Sequence, residues 1–468
     1  MQPKNFKFGG GVADSVVNPA VLVLVLIVGV LILVGSRHRI IRAFVAAAIL
    51  IPTDQVVVVF GLHFPMLRVM ALFGIVRLIR ERLAKHQVIS GGINKIDIFV
   101  ILLVVFTAIA GVLLFQEPAE VVFQFGNIYT AMGLYFLLRF LFRDERDVFI
   151  MIRTFAWCAI PIALVMTWEG VTGRNPYALL GGARASAYAI VEARAGRFRA
   201  QGCFANSILA GTFGAMTLPL FFLLWRTGKK SRLVGALGMA AATVITVASN
   251  SSTPMLALAA GIGALGLWPI RNWMRLVRWG IVITVVTLHL IMKAPVWHLI
   301  GMIDISGGSS SDHRFQLVDQ CIRHFGDWWL MGVKSTGGWG WDMFDTANQY
   351  VNVCDNSGLV PFLCFLAILV YAYKFVGRAR RKTADRRKQI FFWALGASLF
   401  ANTIAFVGVS YWDQMQAVWY MLLAGISAAV LTTSKKEPAG LNPSVTDGAN
   451  PAGTDQPALQ SSPTFFTL

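Results

Sequence analysis

Charged residues are scarce in this chain of 468 residues. Asp, Glu, Lys and Arg make up 14% of the sequence, whereas hydrophobic residues make up 56%. Soluble domains have about a quarter of their residues charged, so this composition predicts an integral membrane protein. The net charge of +18 comes from Lys and Arg in short clusters between apolar runs. Such clusters are a topology signal, so we expect no nucleic acid as a partner.

Several kinds of catalytic or metal site have no counterpart in the sequence. The five cysteines form no C-x-x-C pair and the seven histidines are scattered, so we expect no metal and no cofactor. The chain also lacks a phosphate-binding loop ending in GK[ST], and it contains no HExxH, GxSxG or paired-carboxylate motif. These absences set aside the P-loop nucleoside triphosphatases, the HExxH metalloproteases and the GxSxG hydrolases.

Long apolar runs dominate what is present. About thirteen runs of roughly 16–22 residues, long enough to cross a bilayer, lie near 18–36, 43–62, 64–80, 96–115, 121–142, 147–170, 204–225, 233–249, 253–270, 280–298, 358–376, 390–410 and 414–431. Alternate connections are basic, which places the N-terminus outside and the C-terminus in the cytoplasm. The region 43–80 forms either two spans or one bent span, and in the second case the N-terminus lies inside.

The predicted fold is an all-α integral membrane protein with about 12–13 transmembrane helices and a large extracytoplasmic loop that carries amphipathic helices. An N-terminal segment, 1–17, precedes a polytopic domain, 18–431, with outer loops at 171–203 and 299–357. The tail, 432–468, is rich in Pro, Gly and Ser and is expected to be disordered in the cytoplasm. Two of the exterior cysteines, Cys321 and Cys354, are expected to form a disulfide.

The larger outer loop opens with an amphipathic helix. On a helical wheel Arg314 falls at the centre of its apolar face. A guanidinium there is costly without an anionic partner, so Arg314 either binds an anion or reaches out to headgroups or water. Lys334 and Trp341 follow in a Gly/Trp-rich turn, where Lys334 is a second candidate for binding a diphosphate and Trp341 suits a sugar or the membrane interface.

Three residues of this loop are candidate general bases: Asp345, His313 and Asp319. Asp345 alternatively caps the helix that follows it.

The smaller outer loop ends with Arg197 and Arg199 before the next span, and Asn206 lies just inside that span. Two arginines at an interface suit a phosphate, although interfacial anchoring explains them as well. Asn206 is a polar group inside an apolar span and needs a partner. The Ser-rich turn at 249–253 predicts a helix end followed by a new helix start, which could help to hold an anion.

Short motifs in both halves of the chain fit one family. The smaller loop ends in R-x-x-G-x-F-x-N with Arg199, Gly202, Phe204 and Asn206, and the Ser-rich turn follows. The larger loop opens with Arg314 and continues through a G-x-G-like turn to an N-x-Y-x…G-L segment, which contains Asn348, Tyr350, Gly358 and Leu359. Over roughly residues 40–431 the chain resembles the O-antigen ligase and polymerase superfamily, bacterial inner-membrane enzymes that act on polysaccharides.

The resemblance implies a metal-independent, inverting glycosyl transfer at the periplasmic face by a multi-pass protein of the bacterial inner membrane. The donor would be a glycan linked to undecaprenyl diphosphate, and the acceptor another glycan or a lipid; membrane lipids surround both. The diphosphate would be bound by Arg199, Arg314, Arg197 and Lys334, other substrate contacts would come from Asn206, Tyr350 and Trp341, and the catalytic candidates are Asp345, Asn348 and His313.

Two positions depart from the family pattern. Ligases carry a His immediately before the Asn of the last segment, where this chain has Ala347, and the Ser-rich turn continues with Thr253-Pro254 in place of an arginine. The missing histidine argues against ligation to lipid A–core. It leaves a polymerase that uses Asp345 or another base, an exopolysaccharide paralogue, or a member without transferase activity. The alternatives from other classes are a non-catalytic component or exporter of a polysaccharide synthesis complex, and a small-solute transporter.

Overall fold

A computed structural model describes residues 14–84, 88–182, 190–194, 196–302 and 311–434. The helices there are α1 Pro19–Val34, α2 Arg37–Leu50, α3 Met66–Leu83, α4 Lys95–Phe115, α5 Pro118–Leu141, α6 Glu145–Thr172, α7 Ser207–Thr227, α8 Lys229–Ala248, α9 Ser252–Gly266, α10 Met274–Ile291, α11 Ser311–Arg323, α12 Phe325–Trp328, α13 Gln349–Ser357, α14 Leu359–Lys382, α15 Arg386–Ala405 and α16 Asp413–Ser434. Two small hairpins pair β1 Val56–Val59 with β2 Leu62–Pro65 and β3 Ala193–Arg194 with β4 Arg197–Phe198.

Seven helices in the described part of the chain are long and apolar enough to cross a membrane: α4, α5, α6, α7, α8 from Ser231 onward, α10 and α14. The helices Pro19–Val34 and Ser252–Gly266 are apolar but shorter. An all-α, multi-pass membrane architecture is therefore confirmed, and the finer count of about 12–13 spans stays a prediction.

The predicted span 43–62 is wrong in its second half. The helix α2 ends at Leu50, and the next residues form the β1–β2 hairpin, in which Val59 pairs with Leu62. Four consecutive valines favour a strand. The turn places Phe60 at φ 52° and Gly61 at φ 80°, which is the backbone that a two-residue hairpin needs. Residues 43–80 are thus two helices separated by a hairpin.

The helix α7 is the most deeply buried of the seven, because 89% of its most apolar 18-residue stretch is buried. It packs against α6, α8, α9 and α15. Gly214 permits the close approach of α8, because a Cβ there would lie 2.5 Å from the carbonyl oxygen of Ala242. Small residues thus set the spacing of the central helices.

Polar side chains fasten the segments at both ends of the bundle. Fully buried Arg139 of α5 donates from Nε to Oδ1 of Asp97 in α4 at 2.7 Å. Near the start of α16, Nε2 of Gln414 lies 3.2 Å from the carbonyl oxygen of Ile49, 3.0 Å from that of Ile51 and 2.9 Å from that of Cys203. In both places the hydrogen bonds offset the free-energy cost of burying a polar side chain.

Candidate functional site

The candidate site lies at the end of the bundle where both long loops emerge. We call this end the loop face. It includes the end of α6, the start of α7, the turn between α8 and α9, the start of α11, all of α13, and residues 406–412 between α15 and α16.

Arg314 lies in the first turn of α11 and is only 6% exposed. It shares the buried face of that helix with Leu317 and Cys321. A Cβ at Gly408 would lie 2.8 Å from Nε of Arg314 and would collide with Oγ1 of Thr253. The predicted placement of Arg314 on the buried face is therefore confirmed, and the alternative in which it reaches out to water is wrong. The side chain meets the first turn of α9 and the turn after α15.

The segment before α13 is fastened to α11 and to the turn after α15. Nε2 of His313 lies 2.9 Å from the carbonyl oxygen of Asp345. A carbonyl oxygen only accepts, so Nε2 is the protonated nitrogen in the neutral ring and Nδ1 carries the lone pair. Oγ of Ser410 donates to the carbonyl oxygen of Thr346 at 2.8 Å. These bonds place His313, Arg314 and Asp345 in one neighbourhood.

Asn348 is the N-cap of α13. Its Oδ1 accepts from the backbone N–H of Tyr350 at 2.9 Å and of Val351 at 3.2 Å, and its Nδ2 donates to the carbonyl oxygen of Val407 at 2.9 Å. Asn348 fills the cap position, so the alternative that assigned the cap to Asp345 is wrong. Asp345 is exposed on the loop.

Arg199 is the second buried arginine of the loop face and is also 6% exposed. Its Nη1 donates to Oε2 of Glu192 at 2.7 Å, whereas its buried Nε has no hydrogen-bond partner among the described residues. Burial lowers the pKa of Arg199, and the Glu192 carboxylate opposes that shift. The backbone that follows is tied to the end of α8, because the N–H of Ala200 donates to the carbonyl oxygen of Ala248 at 3.1 Å.

The Ser-rich turn is the element that both arginine segments touch. Nδ2 of Asn250 donates to the carbonyl oxygen of Arg194 at 3.3 Å, which holds the β3–β4 hairpin against the turn. At the other end of the turn, Oγ1 of Thr253 and Nε of Arg314 both lie close to Gly408. Ser251 is the N-cap residue of α9, yet its hydroxyl is buried and makes no hydrogen bond to the described residues. The helix N-terminus and the unused hydroxyl suit an anion, and the segments that carry Arg199 and Arg314 both border this turn.

Other predicted site residues have other contacts. Arg197 is exposed on β4, and Trp341 is 91% exposed. Asn206 caps α7 by accepting from the N–H of Leu209 at 2.8 Å. Nζ of Lys334 lies 6.0 Å from the ring centroid of Phe115 at the end of α4. These residues do not share the contacts that join the Arg314 neighbourhood to the Ser-rich turn.

Tyr350 packs inside the loop face. Its hydroxyl donates to the carbonyl oxygen of Thr403 at 3.0 Å, and its ring lies edge-on to Phe365 and Phe406. These contacts fasten α13 to α14 and α15.

Asp355 is a titratable residue that sequence reasoning missed. It lies on α13 and is 4% exposed; its Oδ1 accepts from Nδ2 of Asn356 at 2.9 Å, and the hydroxyl of Thr346 also binds the carboxyl group. Burial raises the pKa of Asp355 to about 7, whereas its hydrogen bonds lower it. The helical spacing of Val351, Cys354 and Asp355 could have predicted its buried position.

The predicted Cys321–Cys354 disulfide is wrong, because both residues are thiols in the structure. They are buried neighbours in a small core beneath the larger loop. A hydrogen bond with Cys321, together with burial, raises the pKa of the Cys354 thiol. A thiol held in its protonated form is a poor nucleophile for disulfide formation.

No family model matches the chain, and no curated protein matches it either.

Proposed function

We propose that the protein transfers or polymerises oligosaccharide carried on undecaprenyl diphosphate, in the synthesis of a surface polysaccharide or exopolysaccharide. One observation carries the proposal: two buried arginine segments, far apart in sequence, border one Ser-rich turn on the loop face. A diphosphate needs several charge-assisted donors where it meets the membrane. The proposal includes about 12–13 spans in the bacterial inner membrane, with the loop face toward the periplasm.

In the proposed reaction an acceptor hydroxyl attacks the anomeric carbon of the donor sugar from the side opposite the diphosphate. The new bond joins the acceptor oxygen to that carbon, and the bond from the same carbon to the phosphate oxygen breaks. The lipid diphosphate leaves with the bonding electrons, and Arg199 and Arg314 stabilise its charge. The configuration at the anomeric carbon inverts.

The acceptor proton needs a base close to the arginines. Nδ1 of His313 is suited to this role, because Nε2 is bound to the carbonyl oxygen of Asp345. The carboxylate of Asp345 is the second candidate and is exposed beside it. At Ala347 the chain has no side chain able to move a proton. This favours a polymerase or an exopolysaccharide enzyme over a lipid A–core ligase.

The test compares arginine variants in a host strain that lacks the native gene. Arg314→Ala and Arg199→Ala should each abolish polymer on a polysaccharide gel while the membrane content of the protein is unchanged. Arg323→Ala is the matched control on α11, because Arg323 is exposed and its ion pair among the described residues is with Asp319 on the same helix. Polymer of normal amount and length in both arginine variants would overturn the proposal.

A further inference from the structure

A second polar space lies on the other side of α13 from Arg314. It is a cavity of about 400 Å³, bounded by α2, the β1–β2 hairpin, α3, α4, α5, α13 and the first turns of α16. Its volume lies within the range of about 300–1,000 Å³ that is usual for small-ligand sites. Of the loop face, only α13 and Tyr411 border this cavity among the described residues.

Uncharged amide side chains dominate the polar part of its lining. Six of them come from three different helices: Gln124, Asn127, Gln349, Asn352, Asn356 and Gln416. Gln124, Asn127 and Thr130 follow one another at three-residue steps along α5, so one face of an apolar helix is polar here. The half-buried side chain of Asn127 has no hydrogen-bond partner among the described residues, which is costly in a membrane helix unless a ligand or water binds it.

The residues that line the cavity carry one positive and one negative formal charge. Arg68 and Asp413 are the charged residues among those that border the cavity. The guanidinium of Arg68 is already bound, since Nε donates to Oγ1 of Thr130 at 2.8 Å and Nη1 to the carbonyl oxygen of His63 at 2.8 Å. A site of this kind favours a ligand without net charge, in contrast to the Ser-rich turn.

Amides and aromatic rings together are the chemistry that binds sugars. An amide both donates and accepts, as a sugar hydroxyl does. Most of these amides already use one donor or acceptor within the protein and keep further hydrogen-bonding capacity for a ligand; the bound ones are Gln124, Gln349, Asn352, Asn356 and Gln416. Tyr411 and Tyr420 border the same space and add aromatic residues to its lining, a residue type that suits the C–H surface of a pyranose.

The cavity and the arginine site share one segment of chain. Gln349 and Asn352 of α13 line the cavity. The N–H of Gln349 donates to the carbonyl oxygen of Phe406 at 2.8 Å, and Nδ2 of Asn352 donates to Oγ1 of Thr346 at 3.1 Å. The same segment is held to His313 through Asp345. The segment that lines the cavity is thus joined by hydrogen bonds to the segment that holds the candidate base.

We propose that this cavity binds a neutral glycan through its amides, and that this glycan is the acceptor. The assignment as acceptor rests on the proposed function, whereas the binding of a neutral glycan does not.

The experiment uses the purified full chain in lipid nanodiscs on an array of neutral and acidic bacterial oligosaccharides. We expect retention of neutral oligosaccharides, and about tenfold weaker binding by Asn127→Leu, which removes one hydrogen-bonding group at nearly constant volume. Leu103→Met is the matched control, because it changes an apolar wall residue and leaves every amide in place. Thermal unfolding of both variants checks that they are folded, and Asn352→Leu provides a second change on a different helix.

Several outcomes overturn the proposal: no binding to any neutral oligosaccharide, a preference for acidic ones, or equal binding by Asn127→Leu, Asn352→Leu and the unaltered chain. A phospholipid retained in native mass spectra of the unaltered chain but lost from Asn127→Leu would also overturn it. Arg314→Ala separates this proposal from the proposed function. If the cavity binds glycan while Arg314→Ala and Arg199→Ala both still make normal polymer, the glycan site stands and the transferase fails.

Discussion

Arg314 lies directly against Gly408, so that a side chain at position 408 would place its Cβ 2.8 Å from Nε of the arginine. The φ angle of Gly408 is not among the positive ones, so space and not backbone conformation requires a glycine here. Gly408 therefore determines how closely the turn after α15 approaches the arginine.

Gly408→Ala is expected to reduce polymer formation as strongly as Arg314→Ala does. The added methyl group would displace Thr253 or Arg314, and a displaced guanidinium no longer meets the diphosphate. Gly396→Ala in α15 is the control, because its Cβ would lie 3.4 Å from Cγ1 of Val376, which is close to ordinary contact. Gel analysis of polymer length checks both, and normal polymer from Gly408→Ala would contradict this role of the glycine.

Glu192→Gln is expected to strengthen the binding of undecaprenyl diphosphate about two- to fivefold, the range of an exposed ion pair. The Glu192 side chain is 66% exposed and pairs with Arg199, so it would compete with the proposed diphosphate for that arginine. Thermophoresis in detergent measures the affinity. Glu117→Gln changes another exposed carboxylate and should leave the affinity unchanged; equal shifts in both variants would argue against a specific competitor.

Asn348→Ala is expected to lower the free energy of unfolding by about 1–3 kcal/mol, because it removes an N-cap and a hydrogen bond to Val407. Asn206→Ala loses only a cap interaction and should cost about 1 kcal/mol. Urea unfolding of the two variants in the same detergent measures the difference. A stable but inactive Asn348→Ala would instead point to a direct role in the reaction.

Asp355 is expected to make stability depend on pH. Burial raises its pKa to about 7 from an ordinary 3.8, so the folded state favours the neutral carboxyl. That contribution is complete below about pH 4 and is lost as the pH rises through about 7. Asp355→Asn stays neutral, so its melting temperature relative to the unaltered chain should rise between pH 5 and pH 8. Asp342→Asn, at an exposed carboxylate, is the control; parallel curves for Asp355→Asn and the unaltered chain would contradict the expectation.

The helices were predictable where apolar runs are long and uninterrupted. The span near 96–115 corresponds closely to Lys95–Phe115, and the burial of Arg314 follows from the wheel of its helix. The hairpin at 56–65 was missed, because a valine run is equally apolar as a strand or as a membrane helix.

Contacts between segments distant in sequence could not be predicted from the sequence. Nothing near Gly408 indicates that Arg314 packs on it, since the two come together only when α11 and α15 are assembled. The amide-lined cavity is likewise divided among helices, each of which contributes only a few polar residues. The residue pattern of one helix indicates which of its faces is buried, but it does not indicate which segment packs against that face.

Gln414 joins the carbonyl oxygens of Ile49, Ile51 and Cys203 at a single nitrogen. It belongs to the last helix of the described residues, whereas its acceptors belong to segments synthesised much earlier. Those carbonyl oxygens must therefore be bound to water or to the insertion machinery until Asp413–Ser434 is synthesised and packed. A protein truncated before this helix would keep that end of the bundle open, and quality-control proteases would recognise it as unfinished.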